Sequence, residues 1–511
     1  MENGKIEVLK ARLYQANGKL MMKKVCKKHG EFVDVILSDI TLYTQLVDYS
    51  YDGYGVTNPK ITEFYGCPHS CGLCPEHKSQ TILANLDLTN RCNMNCPICF
   101  ANANATGYVY EPSFEEVVEM MKTLRANKPV PTPSIQFSGG EPTIYPRFFD
   151  VLDKAWELGF QQIQIATNGV RLAEEEDFAQ RCADHHLHTV YLQFDGFNEE
   201  TYIKARGRPM LNLKLKAIEN CRNVTPPKIE GRRYRPKALS TILVPTVLKG
   251  INHNEVGEIV RFAIKNRDVI RGVNFQPVAF TGRISQEERE MRRYTITDLV
   301  NDLAEQTDFL SKEDFFPVAC VAPISELTTV LHHTPKMAFT AHPHCGLATF
   351  LLVEDETDRI VPITRIIDVR NFFRDVYELA EKARRSRIPK FSTLLRAMKL
   401  SKYIRDADGG RISLREKYKI LKILQGVFQE GKKDPLADFA WNVVFIGAMH
   451  FQDNYNYDIE RVKRCVIHYV TPDQRIIPFC AYNGGPTYRK EIEKKYSIPL
   501  EEWKRRRKKS T

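Results

Sequence analysis

Two cysteine triplets carry the same spacing, C-x3-C-x2-C: Cys67, Cys71 and Cys74 in CPHSCGLC, and Cys92, Cys96 and Cys99 in CNMNCPIC. Three thiolates so close together cannot bridge one another in pairs, and they crowd a soft-metal site. Three is one fewer than the four ligands that close a structural zinc or iron–sulfur site. A four-iron cluster held by such a triplet therefore keeps one iron open to an exogenous ligand.

The two triplets differ in setting. The second follows an alternating apolar run, Ile82 to Leu88, that reads as a buried strand breaking into the polar loop TNRCNMN. No strand leads into the first, since NPKITEFYG is loop-like. It suits an auxiliary cluster, and zinc with His69 or His77 as a fourth ligand stays open beside that reading. Further cysteines are Cys320 in FFPVACVAP, Cys345 in HPHCGLATF, and Cys465 and Cys480 in CVIHYVTPDQRIIPFC. The last segment and LATFLLVEDETDRIVPIT share a plan of strand, polar turn and Pro-terminated strand. Aligning Val361-Pro362 with Ile477-Pro478 sets Thr364 where Cys480 stands. The pattern predicts a duplicated cluster-binding hairpin, with Cys320, Cys345, Cys465 and Cys480 as its four ligands; scattered core cysteines are the alternative. Cys26 with His29 in VCKKHGEF is a vestigial knuckle or a distant cluster ligand. Cys182 and Cys221 fall in helical patterns and read as core residues.

Positioning falls to residues 81–290, where strand and helix alternate. Ser113-Phe114-Glu115-Glu116 is a capping box that opens a helix. SIQFSGGEPT, QQIQIATNG, TVYLQFDG, ALSTILVPTV and GVNFQPVAF read as strands separated by further helices. Six such units predict an α/β fold, a parallel sheet curled into a partial (β/α)6 TIM-like barrel. Chemistry then belongs at the C-terminal strand ends, where the cysteine loop, Gly139-Gly140-Glu141, Asn168 and Asp195 all lie. Residues 1–80 form an N-terminal Cys-rich region, with a hairpin around Ala16-Asn17-Gly18-Lys19. Residues 291–511 form a C-terminal α+β region suited to auxiliary clusters.

At 511 residues, 43% hydrophobic and 27% charged, the composition is that of a globular chain of two to four domains. MENGKIEVLKARL has no apolar signal region, and the longest apolar run, Trp441–Met449, is too short to span a bilayer. Thirteen cysteines in such a chain predict reduced, metal-binding thiols and a cytoplasmic location. The net charge of +11 owes part to the run Lys504–Lys509. That run reads as a solvated tail, with peripheral attraction to an anionic membrane surface as the alternative. Nucleic acid is excluded, because no aromatic-interleaved basic stripe accompanies it. FSTLLRAMKLSKYI and LREKYKILKILQGVF are amphipathic helices, either core elements or a face that admits lipid.

The pair CNMNCPIC and SGGEPT, in that order within a βα series, resembles the radical S-adenosylmethionine superfamily over residues 81–290. The resemblance implies that Cys92, Cys96 and Cys99 bind a [4Fe–4S] cluster whose open iron is chelated by S-adenosylmethionine. An electron from a low-potential donor, ferredoxin- or flavodoxin-like, then releases a 5′-deoxyadenosyl radical. Gly139 and Gly140 would let backbone approach the methionine moiety, and Glu141 would accept from its amino group. Asn168 and Asp195 would contact ribose or methionine. The flanks, from VCKKHGEF and CPHSCGLCPEH to FIGAMHFQDNYNYDIERVKRCVIHY, resemble the archaeal tetraether lipid synthases, although the CxxC that tends to precede the hairpin there is missing. This implies about three clusters, one for each group of thiols, and a lipid substrate whose terminal methyl carbons are coupled. The alternative is a radical methylase or other modifying enzyme acting on a pterin or small molecule.

Overall fold

The computed structural model describes residues 8–61, 65–227, 236–281, 289, 291–354, 358–385, 399–404, 443–484 and 488–510. It opens on an antiparallel sheet of β1 (Ala11–Ala16), β2 (Lys19–Cys26) and β3 (Gly30–Leu37). Asn17 and Gly18 both take positive φ, 49° and 73°, as a two-residue hairpin loop matched to strand twist requires.

The barrel strands follow: β4 (Leu83–Thr89), a short β5 (Tyr108–Tyr110), β6 (Ser134–Gly139), β7 (Gln162–Thr167), β8 (Thr189–Gln193), β9 (Ser240–Val244), a short β10 (Thr246–Val247) and β11 (Ile270–Pro277). The six long strands pair in parallel in the order β4-β6-β7-β8-β9-β11. The expected six-unit partial barrel is thus present. Period-two alternation sorts each strand: Ala84, Leu86 and Leu88 are fully buried in the main apolar core, while Leu83 and Asn85 face the central cavity. The helix Phe114–Arg125 starts at the predicted capping box, Ser113 and Glu116 exchanging hydrogen bonds, and buries Val117, Met120, Met121 and Leu124.

The C-terminal region supplies β12 (Phe316–Pro317), β13 (Gly346–Val353), β14 (Ile360–Pro362), β15 (Val443–Met449), β16 (Ile467–Val470), β17 (Ile476–Pro478) and β18 (Ser497–Pro499). β15 joins β11 and β16 joins β4, both in parallel, so strands distant in sequence extend the barrel at its two ends. The hairpins β13–β14 and β16–β17 sit on these outer strands, each ending at a proline that opens a helical turn. The curled sheet brings its ends together, since Met449, Ile467 and Tyr469 line the same cavity as the barrel strands. A buried ion cluster ties the regions together: Arg293 donates to Asp34 on β3 at 2.7 Å and to Asp453, after β15, at 2.6 Å.

One expectation about the C-terminal flank changes. The basic run at the C-terminus belongs to a helix, Leu500–Ser510, rather than to a loose tail, because β18 pairs with β5 and fixes its start. Segment 414–428 and most of segment 391–404, the two amphipathic stretches, lie outside the described residues. Among the described residues no helix is long and apolar enough to cross a membrane.

Candidate functional site

Cys92, Cys96 and Cys99 line one wall of a cavity of about 240 Å³ at the C-terminal mouth of the barrel. Asn104 pins their loop: its side chain accepts from Cys92 N–H at 3.0 Å and donates to the carbonyls of Cys92 and Met94. Asn104 holds a left-handed φ of 63°, a conformation Asn tolerates better than most residues. Met94 packs on Val170, Tyr202 and Met210, anchoring the middle of the loop. Burial, then the Glu141 carboxylate and the other two thiols, pushes the Cys92 thiol up to about 12. Burial likewise raises Cys96. Such thiols ionise when a metal takes the proton's place, so binding there releases protons. The donor set therefore fits a cluster with three protein thiolates.

The glycine turn serves the cysteine loop directly. Gly140 and Glu141 donate their N–H groups to the carbonyls of Thr89 and Arg91, at 2.7 and 2.9 Å. A Cβ at Gly140 would lie 2.1 Å from the Arg91 carbonyl oxygen, and one at Gly139 2.2 Å from that of Thr89. Both glycines also line the cavity. Gly140→Ala should shift the backbone leading into Cys92. We expect a stability loss of about 1–3 kcal/mol and at least about tenfold weaker S-adenosylmethionine binding, read by thermal melting and equilibrium dialysis. Unchanged binding would contradict this packing.

Glu141 and Asp195 stand differently from expectation. Glu141 is buried and does not line the cavity; it accepts from Thr143 N–H and hydroxyl, the Thr167 hydroxyl and Asn168 N–H. It clamps three strand-end segments together. Asp195, wholly buried, accepts a bidentate pair from Arg206 at 2.7 and 2.8 Å, plus Thr246 N–H and the Gln193 amide. These protein donors fill both carboxylates. The cation that Asp195 aims, Arg206, is the one that lines the cavity. Its guanidinium also donates to the Ile98 carbonyl within the cysteine loop, at 3.1 Å. Asn168 does line the cavity, donating to the Asn93 side chain at 2.7 Å.

Sequence reasoning missed Arg206 and Lys214, which sit in helical patterns where a cation reads as solvated. Lys214 is fully buried and donates to the Asn168 carbonyl and to Gln193 at 2.7 Å. Burial outweighs the pull of Asp195 and takes its ammonium down to about 7. The cavity floor carries a ladder of amides: Gln136 donates to Asn85 at 2.7 Å, and Gln164 donates to Gln136 at 2.8 Å. Asn85 Nδ2 and Asn274 Oδ1, each 1% exposed, have no partner among the described residues, and both residues line the cavity. Phe451 and Phe479, stacked with centroids 4.0 Å apart, also line the cavity.

The remaining thiols gather unevenly. Cys71 is buried beside Cys67 and Cys74, and Cys465 is its next thiol neighbour. Burial, then Cys74, pushes Cys67 up to about 12. His77 faces the Cys465 carbonyl at 2.9 Å and the His468 ring at 3.1 Å, and His69 is exposed. Cys465 also neighbours Cys480 and Cys345, and Arg461 donates to the Cys345 sulfur at 3.3 Å. Cys320 stands apart, buried near Tyr49 and Tyr51. The four thiols of the expected set, Cys320, Cys345, Cys465 and Cys480, are therefore not brought together: the last three neighbour one another, and Cys320 stands apart from them. Cys320 lies in the helical turn Val318–Val321 that follows β12. Thr364, at the position equivalent to Cys480, donates to Asp314.

A cysteine loop on the first strand of a parallel barrel, with a glycine turn clamped against it, defines a class of enzyme. The model of the Radical SAM superfamily matches residues 86–263. Across 97% of this chain and 94% of the relative, the sequence is 46% identical to 7,8-dihydro-6-hydroxymethylpterin dimethyltransferase of Methanocaldococcus jannaschii. The chain belongs to that protein's family, within the radical SAM superfamily. Membership brings a [4Fe–4S] cluster and S-adenosylmethionine as cofactors, and a reductant as electron source. A probable GTP 3′,8-cyclase of Methanothermobacter thermautotrophicus is 25% identical over 47% of this chain and 71% of its own length. The crystal structure of Streptococcus suis SuiB bound to S-adenosylmethionine is 17% identical, with a TM-score of 0.34 over 45% of this chain and 48% of SuiB. The near-full-length relative overturns the expectation of lipid-chain coupling and of a lipid substrate, because it is named for a pterin. The alternative reading is the one it backs.

Proposed function

We propose that this chain is a radical S-adenosylmethionine enzyme that methylates a dihydropterin. The observation that carries the reading is 46% identity over nearly the whole of both chains to an enzyme of that name. The cavity floor supports it: a buried donor at Asn85 and a buried acceptor at Asn274 suit a polar heterocycle, which presents both kinds of group at its edge.

In this reading Cys92, Cys96 and Cys99 hold the cluster. Bound there, the cluster and S-adenosylmethionine supply a 5′-deoxyadenosyl radical. The chain's own residues do the rest. Gly139 and Gly140 set the loop's height above β4, and Glu141 locks the turn to Asn168. Asp195 fixes Arg206 as a cation on the cavity wall, where it would meet an anionic group of a bound cofactor. Phe451 and Phe479 keep water from the part of the cavity wall they line. Cys67, Cys71 and Cys74, with Cys465 as the nearest fourth thiol, are the proposed auxiliary cluster ligands. Cys345 and Cys480 lie beside them.

Anaerobically reconstituted protein, given 7,8-dihydro-6-hydroxymethylpterin, S-adenosylmethionine, a methyl donor and reductant, should yield a pterin heavier by one or two methyl groups by mass spectrometry. An unaltered pterin alongside continued 5′-deoxyadenosine formation would reject the substrate while leaving the radical chemistry in place.

A further inference from the structure

We propose that the C-terminal basic helix, with the helix before it, is the docking surface for an acidic low-potential electron-transfer protein. The inference rests on Cys92–Cys99 holding the reducible cluster. Three contacts place this surface against the cysteine loop. β18 pairs with β5, so that Ser497, Ile498 and Pro499 face Tyr110, Val109 and Tyr108 directly downstream of the loop. Leu500 N–H donates to the Gly107 carbonyl. Trp503 lies under the Arg91 guanidinium, 4.5 Å from its ring centroid, and Arg91 immediately precedes Cys92. Arg91 is held in turn by Glu111 at 2.6 Å.

The preceding helix, Tyr488–Tyr496, is fixed to the barrel itself. Buried Arg489 pairs with Asp87 of β4 at 3.0 Å and with Glu493 at 3.1 Å, and its guanidinium stacks 4.6 Å from the Tyr482 ring. The basic face is therefore carried on a rigid mount beside the cluster loop.

Its charge is one-sided. Residues 488–509 hold ten Lys and Arg against four Glu. Lys490, Lys494, Lys495, Lys504, Arg505 and Arg507 are exposed. The pairs Lys504–Glu501 and Arg506–Glu502 are surface contacts worth less than about 1 kcal/mol, and they leave the cationic excess in place. An excess of one sign steers an oppositely charged partner and raises its encounter rate. A bilayer fits less well: Trp503 is turned onto Arg91, and the described side chains after it, Lys504 to Arg507, are all charged. A nucleic acid fits less well too, because among the described residues of these two helices no aromatic side chain is exposed to stack bases.

The test uses full-length reconstituted protein and an acidic flavodoxin, with binding followed by flavin fluorescence. K504E/R505E/R507E should weaken binding by at least about tenfold at low salt, and wild-type binding should itself weaken as salt rises. K10E/K27E/K28E, which reverses as many exposed charges on the N-terminal hairpin, should bind as wild type does. Equal binding by the helix variant, or an equal loss in the hairpin variant, would overturn the proposal. So would helix-dependent binding to phosphatidylserine vesicles with no flavodoxin bound. Bleaching of the cluster absorbance by dithionite, in the same samples, tests the cluster separately from docking.

Discussion

Cys96→Ala should abolish reductive cleavage of S-adenosylmethionine, lowering 5′-deoxyadenosine formation by at least about a thousandfold, the scale on which loss of an essential catalytic group is read. The argument is one of ligand count. Two thiolates cannot hold the three irons that a site-differentiated cluster needs from the protein. Cys96 lies between Cys92 and Cys99 on the cavity wall, with Arg206 close enough to act on its thiol, and no further cysteine lines that cavity among the described residues. Iron content should fall by about one cluster's worth. Cys320→Ala, by contrast, should keep both iron and cleavage, since Cys320 is buried away from the other thiols. A Cys320 variant that lost a cluster would show that the thiol grouping drawn from the fold is wrong.

Asp195→Asn should cost about 3–5 kcal/mol of stability, the penalty for leaving a buried charge without its counter-charge. Burial works against the Arg206 guanidinium, yet Asp195 more than offsets this and holds the group firmly charged. Asparagine preserves shape but not charge, and it would leave Arg206 only neutral acceptors beside the cysteine loop. Equilibrium denaturation of the variant measures the loss. Arg206→Met added to Asp195→Asn should recover part of it, because the stranded charge is then gone. Equal costs for the single and double variants would mean that the stranded Arg206 charge is not what destabilises the single variant. Of the two, the single variant should also bind S-adenosylmethionine more weakly, as Arg206 loses its aim.

Much of the barrel was legible because its signals are local. Alternating apolar residues, the Ser113 capping box and the Asn17-Gly18 turn each act within a few residues, and each lies where the sequence places it. The cysteine loop and Gly139-Gly140 were legible for the same reason. What escaped was set by distant chain. Nothing in β15 or β16 announces that they complete opposite ends of the sheet, since long connections leave strand order open. Glu141 and Asp195 looked like groups for the cofactor, yet each is occupied by protein donors brought in from other strands. Arg206 and Lys214 went unmentioned, because a cation on a helix gives no local signal that tertiary packing will bury it. The substrate was least legible. Cysteine spacing bears on how a radical is made, whereas the cavity that would receive a substrate is lined by residues such as Asn85 and Asn274, gathered from separate strands.

The most direct measurement follows hydrogen from substrate to cofactor. The pterin, deuterated at its non-exchangeable carbon positions, is incubated with reconstituted protein, S-adenosylmethionine, a methyl donor and reductant, and the 5′-deoxyadenosine is weighed by mass spectrometry. Radical abstraction from the pterin predicts deuterium in 5′-deoxyadenosine, appearing together with methylated product. Wholly protiated 5′-deoxyadenosine would contradict it.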